Sequence, residues 1–262
     1  MTSAAPETAL ITGASAGLGA EFARQLAARG HRLVLVARDR ARLEEVAAEL
    51  ERRYGTTAEV LPADLTDDGG LAAVVGRLSD PLRPVGVLVN NAGTGLLRQF
   101  ENNPAEEEVQ HLRLHTEAAL VLTRAVLPGM LERGAGRIVN VASIAAFLPR
   151  GTYSAAKAWL VSFSRWANLA YRAGGVRVTA VCPGFTHTEF HDRMGMDKSV
   201  APSWAWLQAE RVVREGLADN ERGKALSIPT RRYKIVAALA RVAPARLMAG
   251  PPRRPKQVSA AQ

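Results

Sequence analysis

Seven short apolar runs alternate with longer segments of helical periodicity along most of this chain, and this alternation strongly limits the folds available to it. The runs are mostly apolar throughout, without a polar face, as in strands that are covered on both sides. Strands are predicted at 9–12, 32–37, 58–62, 85–90, 137–142, 176–181 and 225–229, and helices at 17–29, 40–54, 67–78, 104–133, 153–173, 203–219 and 233–248. The order predicts an α/β protein with a doubly wound, parallel, seven-stranded sheet flanked by helices.

The chain is predicted to form a single domain over residues 1–250. Its 262 residues, 47% of them hydrophobic, suit one compact core, and no internal linker divides them. Residues 1–8 read as a short flexible lead-in without signal-peptide features, and 251–262 as a disordered tail. Asn103 before Pro104 is predicted to cap the helix at 104–133, which Gly134 then ends.

The charge of the chain is unevenly distributed. The formal net charge is +9, and many of the basic residues lie in the last third. A solvated, arginine-rich tail is the favoured interpretation, and the 5% aromatic content does not alternate with the arginines as a nucleic-acid surface requires. Residues 233–248 have the pattern of a basic amphipathic helix. We expect it to pack on its own domain or on a second subunit, although peripheral contact with a membrane remains open.

A glycine-rich turn follows the first predicted strand. It reads Thr12-Gly13-Ala14-Ser15-Ala16-Gly17-Leu18-Gly19 and leads directly into a helix. Glycines allow close approach of a ligand to the backbone, and a helix N-terminus offers free N–H groups to a phosphate. The turn predicts a dinucleotide site, and the alternative is a tight strand-to-helix connection.

A tyrosine and a lysine lie one helical turn apart in Tyr153-Ser154-Ala155-Ala156-Lys157. A nearby ammonium group favours the phenolate, so we expect Lys157 to lower the pKa of Tyr153. A phenol tuned in this way can act as a general acid or base. Taken alone, the same spacing is a common surface coincidence.

These motifs appear in an order that resembles the short-chain dehydrogenase/reductase family. The turn has the spacing T-G-x-x-x-G-x-G, Asn90-Asn91-Ala92-Gly93 follows the fourth strand, and Ser143, Tyr153 and Lys157 follow the fifth. Pro183-Gly184-Phe185-Thr186-His187-Thr188 follows the sixth strand, so the resemblance covers about residues 8 to 230. It implies a Rossmann-type fold and an oxidoreductase that transfers a hydride between a nicotinamide and a carbonyl or alcohol carbon.

The resemblance also implies the catalytic residues. Ser143 would bind the substrate oxygen, Tyr153 would be the acid or base, and Lys157 would also hold the nicotinamide ribose. His115 occupies the position of an asparagine that supports a helix kink and a water-mediated proton path in the family. The loop between Ser143 and Tyr153 is shorter than usual there, which should reshape the substrate pocket.

The cofactor implied is NADP(H). Arg38 ends the second strand, where a guanidinium matches a 2′-phosphate, with Arg42 as a possible helper, while Asp39 is expected to point away. The residues implied to bind the cofactor are Gly13, Ser15, Gly17, Leu18, Gly19, Arg38, Asp64, Leu65, Asn91, Ala92, Gly93, Tyr153, Lys157, Pro183, Gly184, Thr186 and Thr188.

Residues from about 189 to 203 are expected to form a lid over an apolar pocket, with Phe190, Met194, Met196, Trp204 and Trp206 in or beside it. An equal alternative is that these side chains cap the core. The substrate is therefore expected to be a lipophilic carbonyl compound or alcohol. The competing hypothesis is an NADP(H)-binding sensor or scaffold with weak or no turnover.

The remaining expectations concern metals, location and assembly. His111 and His115, like His187 and His191, have metal-ligand spacing but lack further ligands, so no metal is predicted. Cys182, the sole cysteine, is expected to be a buried packing residue, and a single cysteine agrees with a cytoplasmic location. No apolar run is long enough to span a membrane. The family resemblance implies a homodimer or homotetramer built through the helices at 104–133 and 153–173.

Overall fold

A computed structural model describes residues 7–96, 98–189 and 202–244. Its main sheet has seven strands, β1 Thr8–Thr12, β2 Arg32–Ala37, β3 Ala58–Pro62, β4 Val85–Asn90, β5 Gly136–Val141, β6 Val176–Val181 and β9 Leu226–Ser227. They are parallel and lie in the order β3-β2-β1-β4-β5-β6-β9, which confirms the predicted Rossmann-type α/β fold. A small parallel pair, β7 Thr186–His187 and β8 Leu207–Gln208, lies apart from it.

Eight α-helices within the described ranges flank the sheet. They are α1 Gly17–Ala27, α2 Arg40–Tyr54, α3 Asp68–Leu78, α4 Ala105–Leu112, α5 Ala118–Glu132, α6 Gly151–Tyr171, α7 Ala209–Glu221 and α8 Arg231–Val242. Two apolar clusters fill the layers between helices and sheet, one around Phe22 and Leu35 and the other around Leu88 and Ile138. Because β1 lies between β2 and β4, the strand order reverses there, and open α/β sheets bind ligands at such a point.

The predicted helix at 104–133 is interrupted, so that prediction was wrong in its middle. A π-helical turn, Arg113–Glu117, separates α4 from α5. His115, which is 2% exposed, lies within this turn. The predicted cap was also wrong, since Pro104 holds the cap position and the Asn103 amide donates to Glu108 Oε1 at 2.8 Å.

Two C-terminal helices differ from their predicted bounds. The region predicted as a helix at 203–219 begins with a 3₁₀ turn, Ser203–Ala205, which is followed by β8. The strand β8 forms because it pairs with β7, and the Leu207 N–H donates to the Phe185 carbonyl at 2.8 Å. Only from residue 209 does α7 follow. The last helix, α8, begins two residues earlier than predicted and ends at Val242, while residues 245–248 lie outside the described part.

The chain ends and the lid are only partly described. Thr8 already belongs to β1, and the Glu7 carboxylate accepts a hydrogen bond from Arg137 at 2.5 Å, so the flexible lead-in does not extend to these two residues. Residues 190–201, most of the predicted lid, and the tail at 251–262 lie outside the described ranges. Among the described helices, none is both long and apolar enough to cross a membrane.

Candidate active site

The glycine turn lies between the end of β1 and the start of α1, beside the reversal in strand order. Gly13 and Gly17 have φ angles of 64° and 54°, a region that favours glycine. A Cβ on Gly19 would overlap the carbonyl oxygen of Gly13. The turn therefore requires glycine for both conformation and space.

The N-terminus of α1 is suited to an anion. Ala16 is the capping residue, its side chain makes no hydrogen bond, and the first turn contains no acidic residue. Ala16, Gly17 and Leu18 line the main cleft, so the helix end faces that space. Backbone N–H groups and the helix dipole at such an end stabilise a phosphate. The residues present thus fit the pyrophosphate of a dinucleotide.

The segment after β4 holds the glycine turn in place. The Asn91 side-chain amide donates to the carbonyls of Thr12 and Gly13 at 3.0 and 3.2 Å. The backbone N–H groups of Asn91 and Ala92 both donate to Thr12 Oγ1 at 3.0 Å. This network couples β1 to β4 and explains why asparagine and threonine occur together here.

Basic side chains lie at the far end of the cleft, after β2. The Arg38 side chain is 79% exposed, and its Nη1 is 3.9 Å from Asp64 Oδ2. Asp39 also lines the cleft, but its carboxylate caps α2 by accepting the Arg42 N–H at 3.1 Å. Arg42 itself donates to Glu189 at 2.9 Å. Arg38 is therefore the cation better placed for a further anion.

Ser143, Tyr153 and Lys157 come together on the opposite wall. Ser143 follows β5, and its side chain is hydrogen-bonded to the half-buried Tyr153 phenol. Tyr153 lies in the first turn of α6, and Lys157 lies one turn later with its Nζ 5.7 Å from the Tyr153 ring centroid. Lys157 is 4% exposed, and its ammonium donates to the Val141 carbonyl at 2.7 Å. The arrangement can place a proton donor and a cation beside one bound oxygen.

The sequence predicted a lowered pKa for Tyr153, and that pKa is raised instead. Burial raises the pKa of the phenol to about 12, and the hydrogen bond from Ser143 offsets only part of that effect. Burial also lowers the pKa of Lys157 to about 8, because the ammonium loses water and gains only a carbonyl as partner. At neutral pH Tyr153 is therefore a protonated acid.

The buried Lys157 should reduce the stability of the fold. Its pKa is about 8 in the fold against an ordinary value of 10.5, so between these values the unfolded chain binds more protons than the folded one, and stability rises with pH across that window. We predict that Lys157→Met is inactive but about 1–3 kcal/mol more stable than wild type in urea unfolding at pH 7. The difference should shrink as the pH rises from 8 to 10.5. A Met variant less stable at pH 7 would contradict this effect.

Two histidines lie against Tyr153. The ring centroids of His111 and His115 are 4.4 Å apart, and that of His115 is 5.5 Å from Tyr153 in an edge-on contact. His115 Nε2 lies 2.7 Å from the Thr94 carbonyl oxygen. Burial lowers the pKa of both histidines, that of His115 well below its usual value, so both are neutral at pH 7.

A small cavity lies beneath His115. The space there is about 10 Å³ for the centre of a water molecule, close to what one water needs. Lys157 and Asn90 also line it, and in the described ranges His115 Nδ1 and Asn90 Oδ1 have no hydrogen-bond partner. Three polar groups thus converge on a volume that fits one water.

The glycine turn, the basic end after β2 and the group of Ser143, Tyr153 and Lys157 share one cleft of about 950 Å³. Of the residues predicted for the site, only Gly19 is not on its wall, because it packs beneath the turn. The sequence interpretation did not assign the following residues, which also line it: Thr94, Gly95, Leu96, Arg98, Glu107, Gln110, His111 and Leu114. Glu107, Gln110 and His111 belong to α4, and only the spacing of His111 from His115 hinted at this wall of the cleft.

The sites weighed against this cleft have other surroundings. In the parts of the chain that are described, no three His, Cys, Asp or Glu side chains converge as a metal site. His187 stacks on Trp206 at 5.0 Å, and His191 lies outside the described ranges, so the absence of a metal stays a prediction. Cys182 is fully buried, as expected for a packing residue, and burial raises the pKa of its thiol to about 12.

Comparison with known proteins agrees with this architecture. A ketoacyl reductase, HetN, of Nostoc sp. is 32% identical over 248 residues, which cover 92% of this chain and 84% of the relative. A very-long-chain 3-oxoacyl-CoA reductase of Anas platyrhynchos is 33% identical, with 80% of this chain and 67% of the relative covered.

Solved structures give the same result. A short-chain dehydrogenase from Sphingobium yanoikuyae in complex with NADPH superposes with a TM-score of 0.82 at 36% identity, covering 97% of this chain and 98% of that one. A bulky-bulky ketone specific alcohol dehydrogenase from Comamonas testosteroni gives 0.79 at 32% identity, covering 98% of each chain. The family model for short chain dehydrogenases matches residues 7–199, which include the glycine turn, Ser143, Tyr153 and Lys157. The chain therefore belongs to the short chain dehydrogenase family, whose members are oxidoreductases.

Proposed function

We propose that this protein is an NADP(H)-dependent reductase of a lipophilic carbonyl compound. The observation that carries the proposal is the placing of Ser143, Tyr153 and Lys157 in the same cleft as the glycine turn. The raised pKa of Tyr153 keeps the phenol protonated at neutral pH, so it can donate a proton to a carbonyl oxygen. Two relatives are named as reductases of ketoacyl or 3-oxoacyl groups, which supports the direction of reduction.

In the proposed reaction the bound nicotinamide supplies the hydride. The Ser143 hydroxyl donates a hydrogen bond to the substrate oxygen, and Tyr153 donates its phenolic proton to that oxygen as negative charge develops on it. The Lys157 ammonium would stabilise the phenolate left behind and would also bind the ribose hydroxyls. The glycine turn and the N-terminus of α1 would hold the pyrophosphate. The remaining residues of the cofactor site are assigned as the family resemblance implies.

We assign His115 a positioning role. A water in the cavity beneath it would accept from Lys157 Nζ and donate to His115 Nδ1 and Asn90 Oδ1, which satisfies three buried groups at once. That water would thereby hold the Lys157 ammonium in place and favour its protonated form.

Substitutions at His115 test this role. His115→Leu removes the acceptor, so we expect kcat to fall by roughly tenfold, an altered pH profile and an unchanged KM. His115→Asn restores a polar side chain and should keep kcat within about threefold of wild type. Equal losses in both variants would indicate that the ring serves packing alone.

The preference for NADP(H) is proposed from Arg38. Its exposed guanidinium at the end of β2 can bind a 2′-phosphate with two hydrogen bonds, while the Asp39 carboxylate is occupied in capping α2. The NADPH complex of a relative at 36% identity supports the same choice.

Arg38→Ala is expected to raise the Kd for NADPH by roughly 10–100-fold, since it removes a charge-assisted contact. Binding of NADH should change by less than about twofold, because NADH has no 2′-phosphate. Arg40→Ala, two residues away in α2 and paired with Glu44, is the matched control. Titration of cofactor fluorescence measures both affinities, and equal losses for the two cofactors would refute the assignment.

The function is tested by a panel of ketones, 3-oxo esters and aldehydes with NADPH and NADH in parallel. We expect NADPH oxidation with at least one bulky or long-chain member. The competing function, a cofactor-binding sensor, predicts NADPH binding without turnover on any member. The presence of both Tyr153 and Lys157 in the chain favours an enzyme over a cofactor-binding sensor.

Location and assembly are also proposals. The single, buried Cys182 agrees with a cytoplasmic location. On α6, Trp166 and Leu169 are 54% and 80% exposed, and Trp159 stacks on Phe163 at 5.0 Å. Such an apolar helix face suits association of two or four copies.

A further inference from the structure

The helix α8 buries only one narrow face. Tyr233 and Ala237 point inward, and the Tyr233 hydroxyl donates to the Ala205 carbonyl at 2.8 Å and accepts the Phe185 N–H at 3.2 Å. Ile235, Leu239 and Val242 lie on the other side and are 60%, 59% and 81% exposed. Within the described ranges the helix therefore packs on its own domain through Tyr233 and Ala237, while this stripe stays uncovered and contact with a second subunit stays a prediction.

A tryptophan extends this apolar surface. Trp204 is 64% exposed, and the Arg232 guanidinium lies 5.8 Å from its ring centroid and donates to its carbonyl. We call Trp204, Ile235, Val236, Leu239 and Val242 together the α8 patch. A tryptophan beside aliphatic residues, with arginine nearby, is the composition found at membrane–water interfaces.

The charge of the protein is concentrated in the same part of the chain. Residues 231–262 contain no Asp or Glu. They contain eight basic residues, Arg231, Arg232, Lys234, Arg241, Arg246, Arg253, Arg254 and Lys256. The chain has 34 Lys and Arg against 25 Asp and Glu, so the other 26 basic residues nearly balance the acidic ones. Nearly all of the net charge of +9 thus lies on α8 and the sequence that follows it.

The charges on α8 itself flank the apolar stripe. Arg231 and Lys234 are exposed on the same helix. Glu215 is an acidic residue nearby, and its carboxylate accepts the Thr230 N–H at 3.1 Å and interacts electrostatically with Lys234. The helix carries four cations, Arg231, Arg232, Lys234 and Arg241, and this one partly buried carboxylate does not neutralise them. The surface around the patch is therefore basic.

We propose that the α8 patch binds an anionic phospholipid membrane. An exposed apolar stripe bordered by cations inserts into the interface while the cations contact lipid phosphates. A second copy is a poorer occupant, since a two-fold contact would bring two basic helices together. A nucleic acid would use the cations but leave the aliphatic stripe exposed to water.

The patch lies next to the active-site cleft. The Arg241 guanidinium is 4.8 Å from the centroid of the Phe147 ring, in the segment between Ser143 and Tyr153. The Tyr233 ring packs on Gly184, which lines the cleft. A membrane bound at α8 would thus bring a lipophilic compound close to the cleft. The membrane proposal itself does not depend on turnover.

Co-sedimentation of the full chain with vesicles tests the proposal. We expect binding to phosphatidylcholine vesicles that contain phosphatidylglycerol, little binding to phosphatidylcholine alone, and weaker binding in high salt. The triple variant Ile235→Ser, Leu239→Ser, Val242→Ser should weaken binding by roughly tenfold. Leu82→Ser, at a residue that is 90% exposed and outside the patch, should bind as wild type does.

Each other outcome would overturn the proposal. Failure of the wild type to sediment with anionic vesicles excludes a membrane partner. Unchanged binding by the triple variant would mean that the cations bind any polyanion, which competition by RNA would identify. Loss of self-association in the triple variant, with vesicle binding unchanged, would assign the patch to a second copy. Thermal melting of each variant checks that the fold is retained.

Discussion

Replacing Tyr153 with phenylalanine is expected to lower the turnover of carbonyl reduction by roughly 10²–10⁴-fold. The ring contacts with His111 and His115 remain in the variant, and only the hydroxyl hydrogen-bonded to Ser143 is removed. The substrate oxygen then has no proton donor, and only the Ser143 hydroxyl stabilises the negative charge that develops on it. Steady-state rates with the best substrate of the panel measure the loss.

Binding of NADPH to this variant should stay within a few-fold of wild type, because Tyr153→Phe leaves the glycine turn and Lys157 in place. Tyr171→Phe is the matched control, since Tyr171 ends the same helix and its ring packs on Trp166 at 5.7 Å. The control should keep full turnover. Retained turnover in Tyr153→Phe would show that another group supplies the proton.

Replacing Gly19 with alanine is expected to raise the Kd for NADPH by roughly 100-fold or more, about 2.8 kcal/mol. The new Cβ would overlap the Gly13 carbonyl and crowd the Asn91 amide, both of which are held in the network with Thr12. The turn must open to relieve this contact, and its N–H groups then no longer converge on a phosphate. Fluorescence titration with NADPH measures the change.

Gly76→Ala provides the comparison for Gly19→Ala. Gly76 is in the exposed part of α3, and a Cβ there would meet nothing within 4 Å. This variant should bind NADPH as wild type does and gain about 0.5–1 kcal/mol of stability, because alanine favours a helix. If Gly19→Ala binds as well as Gly76→Ala, the turn does not cradle the cofactor.

Much of the fold could be predicted because local pattern and global structure agree. The continuous apolar runs became strands that are buried on both faces, and their order gave the parallel sheet. The glycine turn was recognisable because its backbone conformation and close contacts exclude residues other than glycine. The order of Ser143, Tyr153 and Lys157 was recognisable because the strand and helix that carry them are regular.

The differences arise where tertiary contacts outweigh local propensity. The π turn at Arg113–Glu117 has no strong local signal in the sequence. It occurs together with the burial of His115 and the contact of its ring with Thr94, which depend on the tertiary structure. The pair β7 and β8 forms only when distant segments meet, so the residues before α7 looked helical in isolation. The pKa of Tyr153 depends on burial, which spacing to Lys157 does not reveal.

The most direct test of the proposed reductase follows a labelled hydride. NADPH deuterated at the transferable position of its nicotinamide is incubated with the protein and the substrate that the panel identifies. The account predicts deuterium on the carbinol carbon of the product with the wild type, and almost none with Tyr153→Phe in the same time. NADPH that binds tightly yet transfers no deuterium to any member of the panel would contradict the reductase and favour a cofactor-binding sensor.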